Sequence, residues 1–124
     1  AINYEMVNGK SYRYFYAITS DVDADNAGKL MKVDTWSGHV STWQEDNVYC
    51  SEPVFLSRPG ALKEDDGVLV FSIIWGKPHV NMTGIVFVDA SNLETIARVH
   101  FNLSGPVPKP LHGCFVSSWD FIND

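Results

Sequence analysis

A chain of 124 residues with 45% apolar content, four Trp, five Tyr and seven Phe carries enough apolar mass for one packed core. Its formal charge of -6 and pI near 5.0, with only scattered Lys and Arg, argue against a nucleic-acid surface, which needs clustered basic residues. The longest apolar run, Val68 to Trp75, is far short of the roughly 20 residues that span a bilayer as a helix, and no CxxC or CxxH spacing offers zinc ligands.

Taken in chain order, short β-favouring runs alternate with turn signals, as in an all-β protein. Asn8-Gly9 is a hairpin signal ahead of a strand over Tyr12 to Ala17. Asp21-Val22-Asp23-Ala24-Asp25 starts like a calcium loop, but Asn26 at position six and Lys32 at position twelve break the EF-hand pattern and leave an acidic loop. Lys29 to Asp34 and His39 to Gln44 flank Trp36-Ser37-Gly38 as a hairpin. Val54 to Ser57 follows Pro53, which suits the first position of a strand. Glu64-Asp65-Asp66-Gly67 reads as an acidic, solvated turn that launches Val68 to Trp75, an inner strand buried on both faces. Ile85 to Asp89 and Thr95 to Phe101 form a third hairpin around Ala90 to Glu94.

The phrases Met31-Lys32-Val33-Asp34 and Val86-Phe87-Val88-Asp89 each lead through a polar turn into a further strand, which is how propeller blades often read. Long helices are not expected; Ala61 to Asp65 and Ser91 to Thr95 have room for one helical turn each. Pro106, Pro108 and Pro110 make an extended connector, and the tail from Ser117 to Asp124 has Trp119, Phe121 and Ile122 with which to pack.

Four histidines in an all-β chain raise the question of a complete iron or zinc site. His39 follows a turn glycine, His79 sits in the polar Lys77-Pro78-His79 connection, and His100 lies in an ordinary strand, so these three read as structural or solvated. There is no G-x-S-x-G elbow, phosphate loop or H-E-x-x-H motif, which leaves nucleophilic hydrolysis and nucleotide chemistry without support. Tyr14, Phe15, Trp36, Trp43 and Trp75 are assigned to core packing. Cys50 and Cys114 read as two free thiols, and the sequons at Asn81 and Asn102 as chance matches.

One combination goes further. Ser51-Glu52-Pro53-Val54-Phe55, the Glu64-Asp65-Asp66-Gly67 turn and Leu111-His112-Gly113 stand in an order and spacing that resemble the end of a carotenoid cleavage oxygenase. The resemblance extends from Ile2-Asn3-Tyr4 through Tyr12 to Tyr16 as far as Phe115, and is closest to the animal carotene oxygenases and the visual-cycle isomerohydrolase. It implies the C-terminal blades of a seven-bladed β-propeller, with residues 1–124 the last part of one longer domain; Ala1 in place of Met agrees with truncation or with processing. It also implies an Fe(II) centre of four histidines, in which His112 is the last ligand, Glu52 the carboxylate that orients it, and the other ligands lie upstream. Gly113 would let the backbone pack closely beside that metal.

The activity implied for the intact protein is cleavage of a carotenoid or apocarotenoid double bond with O2, in the cytoplasm and peripherally on intracellular membranes. Retinoid isomerohydrolase chemistry, a non-enzymatic carotenoid-binding propeller and a free-standing small β domain are the alternatives. Were Glu52 and His112 to face each other on antiparallel strands, the two-residue side-chain period would also set Cys50 against Cys114, although a reducing compartment and strict bond geometry oppose that disulfide. Cys50 stands where the family more often has Pro.

Overall fold

The computed structural model describes residues 1–19, 28–110 and 112–117, which form eight strands and one helical turn. The helical turn α1, Tyr4–Val7, is capped by Asn3, whose side chain accepts from the Met6 amide at 3.2 Å. Asn8-Gly9, expected to open a hairpin, instead closes this helix: the Asn8 amide donates to the Tyr4 carbonyl and Gly9 takes φ +70°. Hairpin turns and helix ends both use a glycine at positive φ, so the dipeptide alone does not distinguish them.

The first sheet is antiparallel and runs β1 (Tyr14–Ile18), β2 (Leu30–Asp34), β3 (Val40–Trp43), with Tyr14 opposite Asp34 and Leu30 opposite Trp43. Asp34 ends β2 by accepting from the Trp36 and Ser37 amides, and Gly38 at φ +73° turns the chain back. Trp36, at the tip of this hairpin, is 77% exposed and so lies outside the core. Its ring lies 4.9 Å from the Arg13 guanidinium, which also forks onto Asp34 at 2.7 and 3.0 Å.

The second sheet holds β4 (Val48–Cys50), β5 (Val54–Ser57), β6 (Gly67–Trp75), β7 (Met82–Asp89) and β8 (Thr95–Asn102). Its order is β4-β6-β7-β8, with β5 on β6 as well. Asp89 ends β7 as Asp34 ends β2, accepting from the Ser91 amide at 2.8 Å, and Leu93 at φ +62° drops into the core. Ala90 to Glu94 is the hairpin turn expected there, so the helical turn for which Ser91 to Thr95 had room does not form, and Ala61 to Asp65 is likewise an irregular turn. Gly67 is required where it stands, because a Cβ there would lie 2.4 Å from the Leu56 carbonyl oxygen across the β5–β6 pair.

The core lies between the sheets: Tyr16 and Leu30 on one side meet Leu69, Phe71, Ile73, Val86 and Val88 on the other. β6 is fully buried on that face only. Val68, Val70, Ser72 and Ile74 point the other way and are half-buried, which corrects the expectation of burial on both faces.

The acidic turn is not simply solvated either. Glu64 accepts from the Arg13 amide at 2.9 Å and from the Tyr14 amide at 2.7 Å, Asp65 pairs with Lys32 at 2.6 Å, and Asp66 pairs with Arg58 at 2.7 Å. Lys32 is itself buried, donating also to the Ser91 carbonyl at 2.8 Å and lying 4.2 Å from the centre of the Tyr14 ring. Together with the Tyr16 hydroxyl, which donates to the Ala90 carbonyl at 3.0 Å, these groups tie the first sheet to the second. The acidic stretch Asp21 to Asp25, Leu111 and the tail from 118 onward lie outside the described residues.

Candidate metal centre

The edge of the second sheet carries an irregularity that builds the site. Cys50 is opposite Ile73 and Val54 is opposite Val70, while Ser51 bonds Ser72, so Glu52 and Pro53 together face the single residue Phe71. This is a β-bulge, and it reverses the side-chain alternation. Without it, Glu52, two residues after the buried Cys50, would point into the core; with it, Glu52 is turned to the outer face. Pro53 has no amide hydrogen to lose at the break.

Ser51 keeps the strand attached on either side of the bulge. Its amide donates to the Ser72 carbonyl at 2.9 Å, and its hydroxyl accepts from the Ser72 amide at 2.9 Å. One serine thus completes the ladder rung that the bulge would otherwise leave open. The Ser-Glu-Pro order therefore has a mechanical reading: hold, turn out, tolerate the break.

The chain after β8 returns across the outer face of the same sheet. The Leu103 amide bonds the Asn81 carbonyl and the Val107 amide the Val80 carbonyl, both at 2.9 Å, which sets the proline-rich connector over the sheet. It delivers His112 to the bulge, where His112 Nδ1 lies 2.7 Å from Glu52 Oε2. The pair borders a groove of about 180 Å³ floored by Val70, Ser72 and Ile85, and its rings and oxygens remain largely open, with side chains 76% and 50% exposed. Nδ1 is the nitrogen engaged by the carboxylate, and in the Nδ1–H tautomer Nε2 offers its lone pair, which is the arrangement of a metal-binding imidazole with its supporting carboxylate.

Glu52 and His112 are thus brought together, but not on paired strands, since neither residue lies in one. The bulge also separates the cysteines. Cys50 is buried on the inner face and Cys114 is exposed on the outer side, both are free thiols, and burial pushes the Cys50 thiol up to about 12. A Cβ on Gly113 would meet nothing within 4 Å, so the close backbone approach expected there is not found among the described residues. His39 and His79 are exposed, and His100 lies edge-on to Trp75 at 5.1 Å. Among the described residues no three His, Cys, Asp or Glu side chains converge. Ser51 is the residue here whose role the sequence motif does not itself reveal; its place before a Glu-Pro pair is the available signal.

The chain belongs to the family described as retinal pigment epithelial membrane protein, RPE65, whose model matches residues 1–117. It is 47% identical over 117 residues to a carotenoid isomerooxygenase of Galleria mellonella, covering 93% of this chain and 23% of that protein. It is 48% identical over 114 residues to the carotenoid isomerooxygenase of Drosophila melanogaster, covering 92% of this chain and 18% of that one. Among solved structures, cobalt-substituted apocarotenoid oxygenase from Synechocystis superposes with a TM-score of 0.72 at 28% identity, over 89% of this chain and 23% of that chain. The chain thus spans about a fifth of the length of the curated relatives it matches. The all-β, propeller-type fold expected from the sequence stands, with the two antiparallel sheets in the place of its blades.

Proposed function

We propose that the chain is the C-terminal part of an Fe(II)-dependent oxygenase that cleaves a conjugated double bond of a carotenoid or apocarotenoid, and that residues 1–124 complete a single propeller domain begun upstream. The observation that carries this reading is the 2.7 Å bond between His112 Nδ1 and Glu52 Oε2 at the strand bulge. The donor chemistry fits the metal: a neutral imidazole with one nitrogen fixed and the other free is a good iron ligand, and the carboxylate behind it balances part of the cation's charge. When bound, the iron supplies activation of O2 for insertion across the double bond.

What this chain contributes is orientation. Glu52 accepts a hydrogen bond from Nδ1–H, which holds the tautomer, and Ser51 with Pro53 fixes Glu52. The remaining histidine ligands come from the part of the protein that precedes this chain. The reading carries with it a cytoplasmic enzyme resting on intracellular membranes, where a carotenoid partitions. Within the family the retinoid isomerohydrolase uses the same kind of centre, and the isomerooxygenase names of the 47% and 48% identical relatives favour the oxygenase.

The test is His112→Ala in the intact parent protein, loaded anaerobically with Fe(II) and then exposed to oxygen. Loss of bound iron and of aldehyde or ketone product, with the circular dichroism spectrum kept, is the expected result. Retention of both iron and product would remove His112 from the metal site.

A further inference from the structure

Lys109 presents a problem that the iron reading does not use. Its Nζ is shut off from solvent and has no hydrogen-bond partner, alone in this among the side-chain polar atoms of the described residues. Its ring contact is the face of Tyr49, at 5.8 Å, near the outer limit of a cation–π contact, and its charge also acts on the neighbouring Cys50 thiol, against the upward push of burial. The position is not a loose one. Lys109 lies between Pro108 and Pro110, each with a fixed φ, and the Val107 amide just before them is bonded to Val80. The connector therefore holds the ammonium over β4, on the side of the sheet opposite the core, where Tyr49 points while Val48 and Cys50 point inward.

An ammonium out of water with no acceptor is among the costliest arrangements in a protein; such an amine either gives up its charge or is completed by an anionic group, and the second outcome needs a carboxylate within reach. The fifteen Asp and Glu of this sequence outnumber its Lys and Arg, yet none among the described residues reaches Lys109. Roughly four-fifths of the relatives' length lies beyond what this chain covers. We propose that Lys109 is an anchor within the propeller: it receives an Asp or Glu carboxylate from the part of the parent protein that precedes this chain, and so fastens the connector bearing His112 to the rest of the same domain. The inference rests on the reading of the chain as a C-terminal part, and not on the metal.

Zero-length carbodiimide crosslinking of the intact parent tests it, because a carboxylate in contact with Lys109 is converted to an amide with loss of water. Peptide mass spectrometry is expected to show Lys109 joined to an acidic residue upstream of Ala1, and the same crosslink lost in Lys109→Met. Acetylation by an amine-reactive ester is expected to be slow at Lys109 compared with the exposed Lys10, Lys63 and Lys77, and to quicken when the upstream acid is changed to its amide. A crosslink to an acidic residue within these 124 positions, protection without any crosslink, or labelling as fast as at Lys63 would each overturn the proposal. Iron content of the same His112→Ala and wild-type preparations reports separately on the oxygenase reading, so one can fail while the other stands.

Discussion

The two faces of the second sheet are built on opposite principles. The inner face, against the first sheet, is apolar, and the polar groups described at its margin are matched: Lys32 by Asp65 and the Ser91 carbonyl, the Tyr16 hydroxyl by the Ala90 carbonyl, and the Arg13 and Tyr14 amides by Glu64. The outer face is half-buried, crossed by a proline-rich connector, and carries an exposed His–Glu pair and an orphaned ammonium. The first face spends its polar groups on holding the sheets together, whereas the second leaves them available. The ties that hold the sheets together and the candidate metal site are thereby separated by the thickness of one sheet.

The sharpest way to break that separation is to attack the inner face. Lys32→Ala should destabilise the protein by about 3–5 kcal/mol, because Asp65 is left as a half-buried unpaired charge. Chemical denaturation of the parent should show the loss, while iron bound per folded molecule stays unchanged. A parallel loss of iron in the folded fraction would show that the two faces are coupled.

Ser51→Ala tests the boundary between them. Losing the hydroxyl that accepts from the Ser72 amide should cost about 1–2 kcal/mol. It should also weaken iron retention, since the bulge that aims Glu52 is no longer pinned; Ser51→Thr, which keeps the acceptor, should restore both. If Ser51→Ala lowers stability and leaves iron untouched, the serine serves the ladder alone.

Glu52→Gln belongs wholly to the outer face. Its effect on stability should stay within about 0.5 kcal/mol, as for exposed substitutions, while metal affinity falls by roughly 10–100-fold as for a lost supporting carboxylate. Equilibrium dialysis of iron against denaturation midpoints would separate the two numbers.

The smallest expected effect concerns acid. The Arg13 guanidinium, with help from the Trp36 and Ser37 amides, holds the Asp34 carboxyl well below the usual carboxylate range. A depressed folded-state value means the stabilisation is present above the ordinary Asp value of 3.8 and is lost as pH falls through the folded one. Acid titration followed by Trp36 fluorescence should therefore show the β2–β3 hairpin intact at pH 5 and loosening only under strong acid. Asp34→Asn should remove that dependence.

How much of this was legible in the sequence divides along the same line. The hairpins over β2–β3 and β7–β8 could be read, because an Asp closing a β-favouring run is a local signal that works through its own next two amides. β4 escaped, being only three residues long, and α1 escaped because four residues show no helical period. The acidic turn was misread since its partners, Arg13, Tyr14 and Lys32, lie 33 to 51 residues away, and charge in a turn is usually solvated. Trp36 was misplaced for a related reason: its ring is held at the surface by Arg13 instead of by burial. Glu52 and His112 could be paired only through the family resemblance. Nothing local in the sequence reveals that a bulge inverts the strand between Cys50 and Val54, and that inversion is what parts the cysteines while joining the acid to the imidazole.

The bond from Tyr16 to Ala90 joins positions 74 residues apart, and Glu64 reaches back 50 residues to Tyr14. By contrast β6, β7 and β8 follow one another through short turns. A meander of that kind closes with little loop entropy and can assemble early, whereas a distant tyrosine and lysine can find their acceptors only after those strands exist. On sequence separation alone, the β6–β7–β8 meander is expected to form before its ties to the first sheet, and pulse-labelled hydrogen exchange during refolding of the parent should show its amides protected first. A newly made molecule would expose the apolar face of that meander until those ties are complete.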